Sequence, residues 1–447
     1  MTEQSWWGTP LLDRGADRAI WARARGEVTF GGLREEVHRQ AELLRCHGIS
    51  RDDTVVLYGT PSFTQIWVLL ALWSLGAQVV LLEPGLGADE RDARIEAARP
   101  RFLVELRGWS RAQKAFVDEC EVFVRRRRAG RYAATGHCLV HFSSGATGQA
   151  KAVGRTPESL LAEVGRLRLL DGMPRTGERV TLLESVTHSF GLIGGLLHAL
   201  AVAATVRFPL EQTPQAVAEA VRDAQVLIGN PWHYGWLAAD GASARLKVAI
   251  SGGDTLPREV ADAFQARYGV RVGQAYGTTE TGIVAADLRG HHGGSAIGRP
   301  APGVPTRVRD GVLEVLVPDR PYLYEDGPIR GGWMSTHDLV GVDPATGVLR
   351  LRGRAAAGGI RPAVDLLAIE DVLRAHTQVT DAVVLGLDLI EAHVQGPVGL
   401  DQQELRSWCR RFLGETAAPA RYHIVRELPR TARGKAVRDH SRLRQHA

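Results

Sequence analysis

The sequence predicts an α/β protein: a large N-terminal domain of parallel-sheet βαβ subdomains plus a small β subdomain, followed by a small, mobile α+β C-terminal lid domain. Three observations predict it. Between residues 28 and 276, apolar runs of strand length alternate with segments of helical period, as parallel strands joined by crossover helices would. Past Glu280 the texture changes to glycines, prolines and short β-branched runs, with turns at Pro302-Gly303, Asp310-Gly311 and residues 343–347, so a small antiparallel subdomain is expected over about 285–353. A last unit of helices and strands follows the Gly/Ala-rich stretch 353–359, which has the composition of a hinge. The expected division is 1–353, a hinge at 354–358, and 359–447.

The elements can be justified in order. Residues 28–30 read as a short strand, and 33–46 as an amphipathic helix with Leu33, Val37, Ala41 and Leu44 on one face, ended by Gly48. Strand, helix, strand, helix, strand then follow at 54–58, 63–75, 77–82, 90–98 and 101–106. A buried strand is expected at 138–142, a helix at 157–169, a strand at 179–184 and a helix at 192–202. Thr213 and Pro214 supply an N-cap and a first-turn proline for a helix ending near Ala224, and 225–228 follows as strand. Residues 246–250, 257–268 and 270–276 complete the set as strand, helix and strand. In the last unit, helices are expected at 368–376 and 402–412, and strands at 381–386, 393–398 and 422–426.

Composition narrows the class. At 447 residues and 44% hydrophobic content the chain can bury the cores of two or more domains. A net charge of +5 permits anionic partners without requiring nucleic acid. The densest basic patch, Arg125–Arg128 with Arg131, reads as a solvated loop, with a phosphate-bearing or acidic partner as the sharper alternative. Cys46, Cys120, Cys138 and Cys409 form no Cys-x-x-Cys pair and read as reduced, buried thiols of a cytoplasmic protein. The start of the chain has Glu3 and no cationic segment before an apolar run, so no signal peptide is expected. The uncharged runs 66–82 and 191–206 each contain a helix-to-strand break, which fits a buried α/β core better than a membrane span.

The stretch with the most chemistry is Cys138–Lys151, C-L-V-H-F-S-S-G-A-T-G-Q-A-K. Backbone N–H groups at Ser143, Ser144, Gly145, Ala146, Thr147 and Gly148 can converge on phosphate oxygens, because glycine permits left-handed turns and close approach. Lys151 would add a mobile charge. The spacing is not that of the P-loop NTPases, and a plain Gly/Ser turn after a core strand would also produce it. Lysine occurs only at 114, 151, 247 and 435, so arginine supplies the other 51 of 55 basic residues. Lysine retained in so arginine-rich a chain suggests a need for a compact ammonium at Lys151 and at Lys435.

Four further stretches stand with it: Ser251–Pro257 (S-G-G-D-T-L-P), Gln274–Gly282 (Q-A-Y-G-T-T-E-T-G), Ser335–Asp338 (S-T-H-D) and Leu428–Lys435 (L-P-R-T-A-R-G-K). The first two follow expected parallel strands, beyond whose carboxyl ends ligands bind. In this order and at these separations, the five motifs resemble the adenylate-forming superfamily of acyl-CoA synthetases, peptide-synthetase adenylation domains and luciferases, and the resemblance covers nearly the whole chain.

That resemblance implies roles. Ser143 to Gly148 and Lys151 would hold the phosphates of ATP. Tyr276 would stack on adenine beside Gly253, Asp254 and Thr255, with Gly277 and Thr278 following. Thr279 would touch phosphate, and Glu280 would ligate Mg²⁺. Asp338 would accept hydrogen bonds from the ribose hydroxyls, Arg354 would support the same nucleotide, and Lys435 would reach the α-phosphate and the acid's carboxylate. His188, in T-H-S-F-G, matches an aromatic-or-histidine position of the acid pocket, with Phe190, Trp232, Gly252 and Ala275 as further lining; a hydrogen-bonded core histidine is its plainer reading. No aspartate stands in H-S-F-G to pair an ammonium, which disfavours an α-amino acid, and the aromatics of Asn230–Trp236 lean toward an aryl acid.

The implied activity is ATP- and Mg²⁺-dependent formation of an acyl-adenylate, then transfer to coenzyme A or to the phosphopantetheine of an acyl carrier protein. The chain departs from the pattern at Ala146, at Ala355–Ala357, and in G-G-I-R-P-A-V-D, which lacks a glycine that usually lets pantetheine approach. Transfer to an amine is therefore the alternative. A nucleotide-binding regulatory protein on an inactivated scaffold is disfavoured by Glu280, Asp338 and Lys435.

Overall fold

The structure is a computed structural model. It describes residues 6–108, 115–143, 150–240, 242–324, 331–355, 364–386, 389–415, 417–431 and 435–445. Three sheets organise them. The largest has 13 strands, the second seven and the third three.

The middle of the largest sheet is parallel: Ile20–Arg23, Thr205–Arg207, Arg179–Leu182, Val226–Gly229, Val248–Gly252 and Val272–Thr278 lie side by side. The expected small β subdomain does not form a sheet of its own. Gly282–Asp287 pairs antiparallel with Val272–Thr278, and pairing continues through Ala296–Pro300 and Leu349–Arg354 to Gly332–Val342, Val312–Val317 and Thr306–Arg309. In the second sheet Leu139–Phe142, Gln78–Leu81, Thr54–Gly59 and Phe102–Arg107 are parallel, with antiparallel strands at both edges.

One hydrophobic core joins the two large sheets, drawing Leu57 and Val79 from one and Val180, Ile228 and Ile250 from the other. The helix Phe63–Ser74 is buried at every position from Phe63 to Trp73, which explains its lack of charge: a helix apolar all round is covered all round. Ser62 caps it by accepting from the Gln65 N–H. No helix among the described residues is long and apolar enough to cross a membrane.

Several expectations are corrected. Arg125 and Arg126 belong to the strand Glu121–Arg126, antiparallel to Phe102–Arg107, because Val122 and Val124 alternate inward while the charges face out. Cys46 is exposed at the end of the helix Phe30–Cys46, whereas Cys138 and Cys409 are buried and Cys120 is half-buried. The helix expected from 192 is a π-helix over Phe190–Leu197 that continues as an α-helix over His198–Ala201. The segment opening at Lys151 returns as the strand Ala152–Arg155, hairpin partner of Leu139–Phe142.

The third sheet pairs Asp381–Gly386 with Ile390–Gln395 and then Arg421–Val425. Helices Leu366–Arg374 and Gln402–Leu413, capped by Asp365 and Asp401, cover one face. Val312 and Leu339 of the large sheet join their hydrophobic cluster, so this unit packs on the body through apolar side chains. Of the expected hinge 354–358, Arg354 ends a strand and Ala355 bridges to Gly386; residues 356–358 lie outside the described residues.

Candidate active site

The parallel register brings the expected site residues together. Gly252 pairs with Ala275 at the carboxyl ends of adjacent strands, and Gly229 with Ser251 on the other side. Gly252 is small for a reason: a Cβ there would stand 2.6 Å from Cε1 of Phe190. Gly253 follows with φ +85°, a left-handed conformation that favours glycine, and a Cβ on it would face Cε1 of His188 at 4.0 Å. His188 and Phe190 are presented by the turn into the π-helix, where the Leu192 N–H donates to the His188 carbonyl at 2.8 Å. Gly191 is required in that turn, since a Cβ would lie 2.1 Å from the Ser185 carbonyl oxygen. Helical irregularities of this kind gather at functional sites.

Behind His188 lies a buried polar chain that sequence reasoning missed. Glu184 accepts from Asn230 Nδ2 at 2.8 Å, and its other oxygen is 3.8 Å from Nδ1 of His188. His233 hydrogen-bonds Gln212 at 3.0 Å, and burial pushes its pKa down to about 3, so it is neutral. Trp232 stands in the helix Pro231–Asp240, where its aromatic partners are His233, stacked at 3.7 Å, and Trp236. The expected place for Trp232 beside Phe190 therefore gains no ring contact among the described residues.

Tyr276, Asp338 and Arg354 form a second group. The Tyr276 hydroxyl donates to Asp338 Oδ2 at 2.6 Å, and Arg354 Nη1 donates to Oδ1 at 2.9 Å. Burial, reinforced by the Asp338 charge, pushes the Tyr276 phenol well above its usual range, so it stays a donor. Asp338 follows His337, which takes φ +61° inside the strand Gly332–Val342; the Asp338 N–H is held by Thr336 Oγ1 at 3.1 Å. A left-handed non-glycine residue beside a site group is the local strain that functional positions retain.

Lys151 and Glu280 meet through a residue the sequence did not single out. The Tyr322 hydroxyl donates to Glu280 Oε1 at 3.3 Å, and Lys151 Nζ lies 4.4 Å from the centre of the Tyr322 ring. The antiparallel pairing of Tyr322–Leu323 with Ala152–Arg155 puts Tyr322 there. The only signal was the tyrosine in P-Y-L-Y, too common a pattern to find it by. Ser143 and Lys151 close the neck of the expected anion loop: the Ser143 N–H donates to the Lys151 carbonyl at 2.8 Å and the Lys151 N–H to Ser143 Oγ at 3.0 Å. Ser144, Gly145, Ala146, Thr147 and Gly148 lie outside the described residues.

Other expected positions have local tasks as well. Thr278 and Thr281 share a hydroxyl hydrogen bond of 3.0 Å in the hairpin that carries Thr279 and Glu280, and a Cβ on Gly277 would collide with the Gly282 carbonyl at 2.2 Å. Asp254 accepts from the Thr255 N–H at 2.9 Å. From the C-terminal unit, Lys435 Nζ donates to the Gly253 carbonyl at 3.3 Å. Arg438 fixes the segment bearing it, by pairing with the buried Glu370 at 2.8 Å.

A half-exposed carboxylate at Glu280, which accepts from a neutral phenol on one oxygen, suits a hard divalent cation that keeps much of its water. The arrangement thus brings together a half-exposed carboxylate, two ammonium groups and an aromatic ring packed on a glycine.

Comparison with known proteins places this geometry. The family model described as AMP-binding enzyme matches residues 12–321, and that described as AMP-binding enzyme C-terminal domain matches residues 368–435. Benzoate–CoA ligase of Thauera aromatica is 29% identical over 349 residues, covering 68% of this chain and 65% of the relative. 2-Succinylbenzoate–CoA ligase of Bacillus licheniformis is 25% identical over 476 aligned residues, covering 94% of this chain and 96% of the relative. The solved amide bond synthetase of Marinactinospora thermotolerans shares the fold, with a TM-score of 0.76 at 23% identity over 96% of this chain and 97% of that one.

Proposed function

The chain belongs to the AMP-binding enzyme family, and we propose that it is an ATP-dependent carboxylic acid ligase, acting on an aryl acid through an acyl-adenylate and passing the acyl group to the thiol of coenzyme A or of a carrier protein's phosphopantetheine. The observation that carries this reading is the approach of Lys435 to Gly253: the one lysine of the C-terminal unit meets the glycine turn beside His188 and Phe190.

In the first step a carboxylate oxygen of the acid attacks the α-phosphorus of ATP; the new P–O bond forms as the bond to pyrophosphate breaks. Two anions must approach, so cationic groups have to neutralise both while the geometry is held. Lys435 would do this at the α-phosphate and the carboxylate, and Lys151 with Ser143 at the outer phosphates. Glu280 would hold Mg²⁺, which would spread the charge developing on the phosphates. Thr279 would hydrogen-bond phosphate, Tyr276 would lie against adenine with Gly253 to Thr255, and Asp338, aligned by Arg354, would accept from the ribose. In the second step the thiol gives its proton to water, its sulfur attacks the acyl carbon, the C–S bond forms, and AMP leaves with the C–O electron pair.

The aryl assignment is supported by the Phe190 ring, packed on Gly252 at the end of its strand, and by relatives named for benzoate and 2-succinylbenzoate. The division at residues 354–358 belongs to the same reading, with 359–447 turning between the two steps. A second reading, transfer to an amine, is favoured by Ala355–Ala357, where a charged hinge residue would be expected. Incubation with ATP, an aryl acid and, separately, coenzyme A, a phosphopantetheinylated carrier protein or a primary amine distinguishes them. Thioester in either thiol arm supports the first reading; amide alone replaces it with the second.

A further inference from the structure

The C-terminal unit contains a group of side chains for which the ligase reading has no use. Among the described residues, Glu391, His393 and His423 form the one group of three or more His, Cys, Asp or Glu whose ligand atoms converge, all within 4.8 Å of one another. The topology puts them there. Glu391 and His393 are two residues apart on Ile390–Gln395, hence on one face, and parallel pairing with Arg421–Val425 sets His423 directly beside His393. The two rings are stacked, with centroids 4.6 Å apart. His440, first residue of the helix His440–Arg444, brings Nδ1 to 3.8 Å from Glu391 Oε2.

Two observations set this group apart. His393 is fully buried, yet among the described residues neither ring nitrogen has a hydrogen-bond partner, and Nδ1 of His440 has none either. A buried polar group without a partner carries its full desolvation cost, so such groups in native proteins call for an explanation. The Glu391 carboxylate is also divided between two kinds of neighbour. Arg421 donates to Oε1 at 2.9 Å and Arg444 lies 3.6 Å from the same oxygen, whereas His423 Nε2 at 3.3 Å and His440 Nδ1 at 3.8 Å both face Oε2. One oxygen is held by arginines and the other is turned to imidazoles. Ligating carboxylates are commonly supported in this way from behind.

We propose that Glu391, His393, His423 and His440 form a transition-metal site for Zn²⁺ or a similar borderline cation, which ties the helix His440–Arg444 to the sheet of the C-terminal unit. Three imidazoles and one carboxylate oxygen are a zinc donor set, and bonds near 2 Å in tetrahedral geometry put donor atoms about 3.3–3.5 Å apart, close to the His423–Glu391 separation. The two arginine charges oppose a cation and set the expected affinity in the micromolar range, below that of closed structural zinc sites. Because the tied helix begins five residues after Lys435, the metal would stiffen the segment that carries the lysine. The inference is independent of the acid and of the acceptor.

The test uses the untagged full chain, stripped with chelator, desalted and titrated with ZnCl₂ by calorimetry, and with CoCl₂ by visible absorption. One Zn²⁺ per chain, the absorption of tetrahedral Co²⁺ and a raised melting temperature are expected. His440→Ala, whose side chain is partly exposed, should leave the metal-free melting temperature unchanged and weaken Zn²⁺ binding by about tenfold or more, with His423→Gln doing at least the same. His291→Ala and His292→Ala, on the body, should leave binding unaltered. Absence of stoichiometric Zn²⁺ binding by the wild type, or binding that His440→Ala and His423→Gln leave unchanged, overturns the proposal.

Discussion

Lys435 and Gly253 stand 182 residues apart in sequence, and the ammonium of the first donates to the carbonyl of the second at 3.3 Å. This contact puts a mobile cation from the C-terminal unit at the carboxyl end of the strand Val248–Gly252, beside the turn that presents His188 and Phe190.

If Lys435 acts mainly on the transition state, Lys435→Ala should lower the rate of adenylate formation by about 10²–10³-fold or more while ATP affinity changes little. Single-turnover kinetics and equilibrium ATP binding check this. Equal losses in both would make Lys435 a ground-state ligand.

The Phe190–Gly252 contact predicts a change confined to the acid. Gly252→Ala puts a methyl 2.6 Å from the Phe190 ring, which must shift. The KM for a benzoate-type acid should rise about tenfold, with that for ATP unchanged, and Phe190→Ala in the same chain should restore much of the loss. Steady-state kinetics with each substrate varied reads the split.

Asp338 has two donors, so removing one leaves it partly held. Tyr276→Phe loses a hydrogen bond to a charged group, about 1.5–3 kcal/mol, and should raise the KM for ATP by roughly ten- to a hundredfold. Asp338→Asn should cost more, because it also leaves Arg354 without its carboxylate. A Tyr276→Phe enzyme with unaltered ATP dependence would remove the phenol from the nucleotide site.

Arg438 and Arg374 both pair with the buried Glu370, so Arg438→Ala should destabilise the C-terminal unit by about 1.5–3 kcal/mol, the loss of one charged hydrogen-bond partner while Arg374 still compensates the carboxylate. The pair also fixes a pH dependence. Burial pushes the Glu370 carboxyl up, but Arg438, Arg374 and the Val384 N–H together outweigh it and hold the pKa below the ordinary 4.5. A depressed carboxylate contributes stability above its unfolded pKa and loses it as pH falls through the folded value. The Glu370 contribution to the melting of this unit should therefore be constant near neutrality and be lost only below about pH 4.5, so Glu370→Gln should remove that part of the acid fall and leave the part due to Asp381, Glu391 and Asp439, whose carboxyls are also held low.

Much of this was legible in the sequence because period and punctuation carry it. The alternation of strand and helix located the parallel strands, and the hydroxyl-and-glycine runs located the turns at their carboxyl ends. What was missed depends on pairing between distant segments. The strand Glu121–Arg126 was hidden by its outward arginines, and Tyr322 reaches Glu280 only because Tyr322–Leu323 lies against Ala152–Arg155. The Glu184–Asn230 and Glu391–His393–His423 groups are assembled by strand register, which no local pattern states.

The central claim is adenylation, and acid-dependent ATP–pyrophosphate exchange without an acceptor tests it most directly. The account predicts exchange with aryl acids, weak or absent exchange with α-amino acids, and none in Lys435→Ala. Silence across aryl, aliphatic and amino acids, in a wild-type chain that still binds ATP, would contradict it.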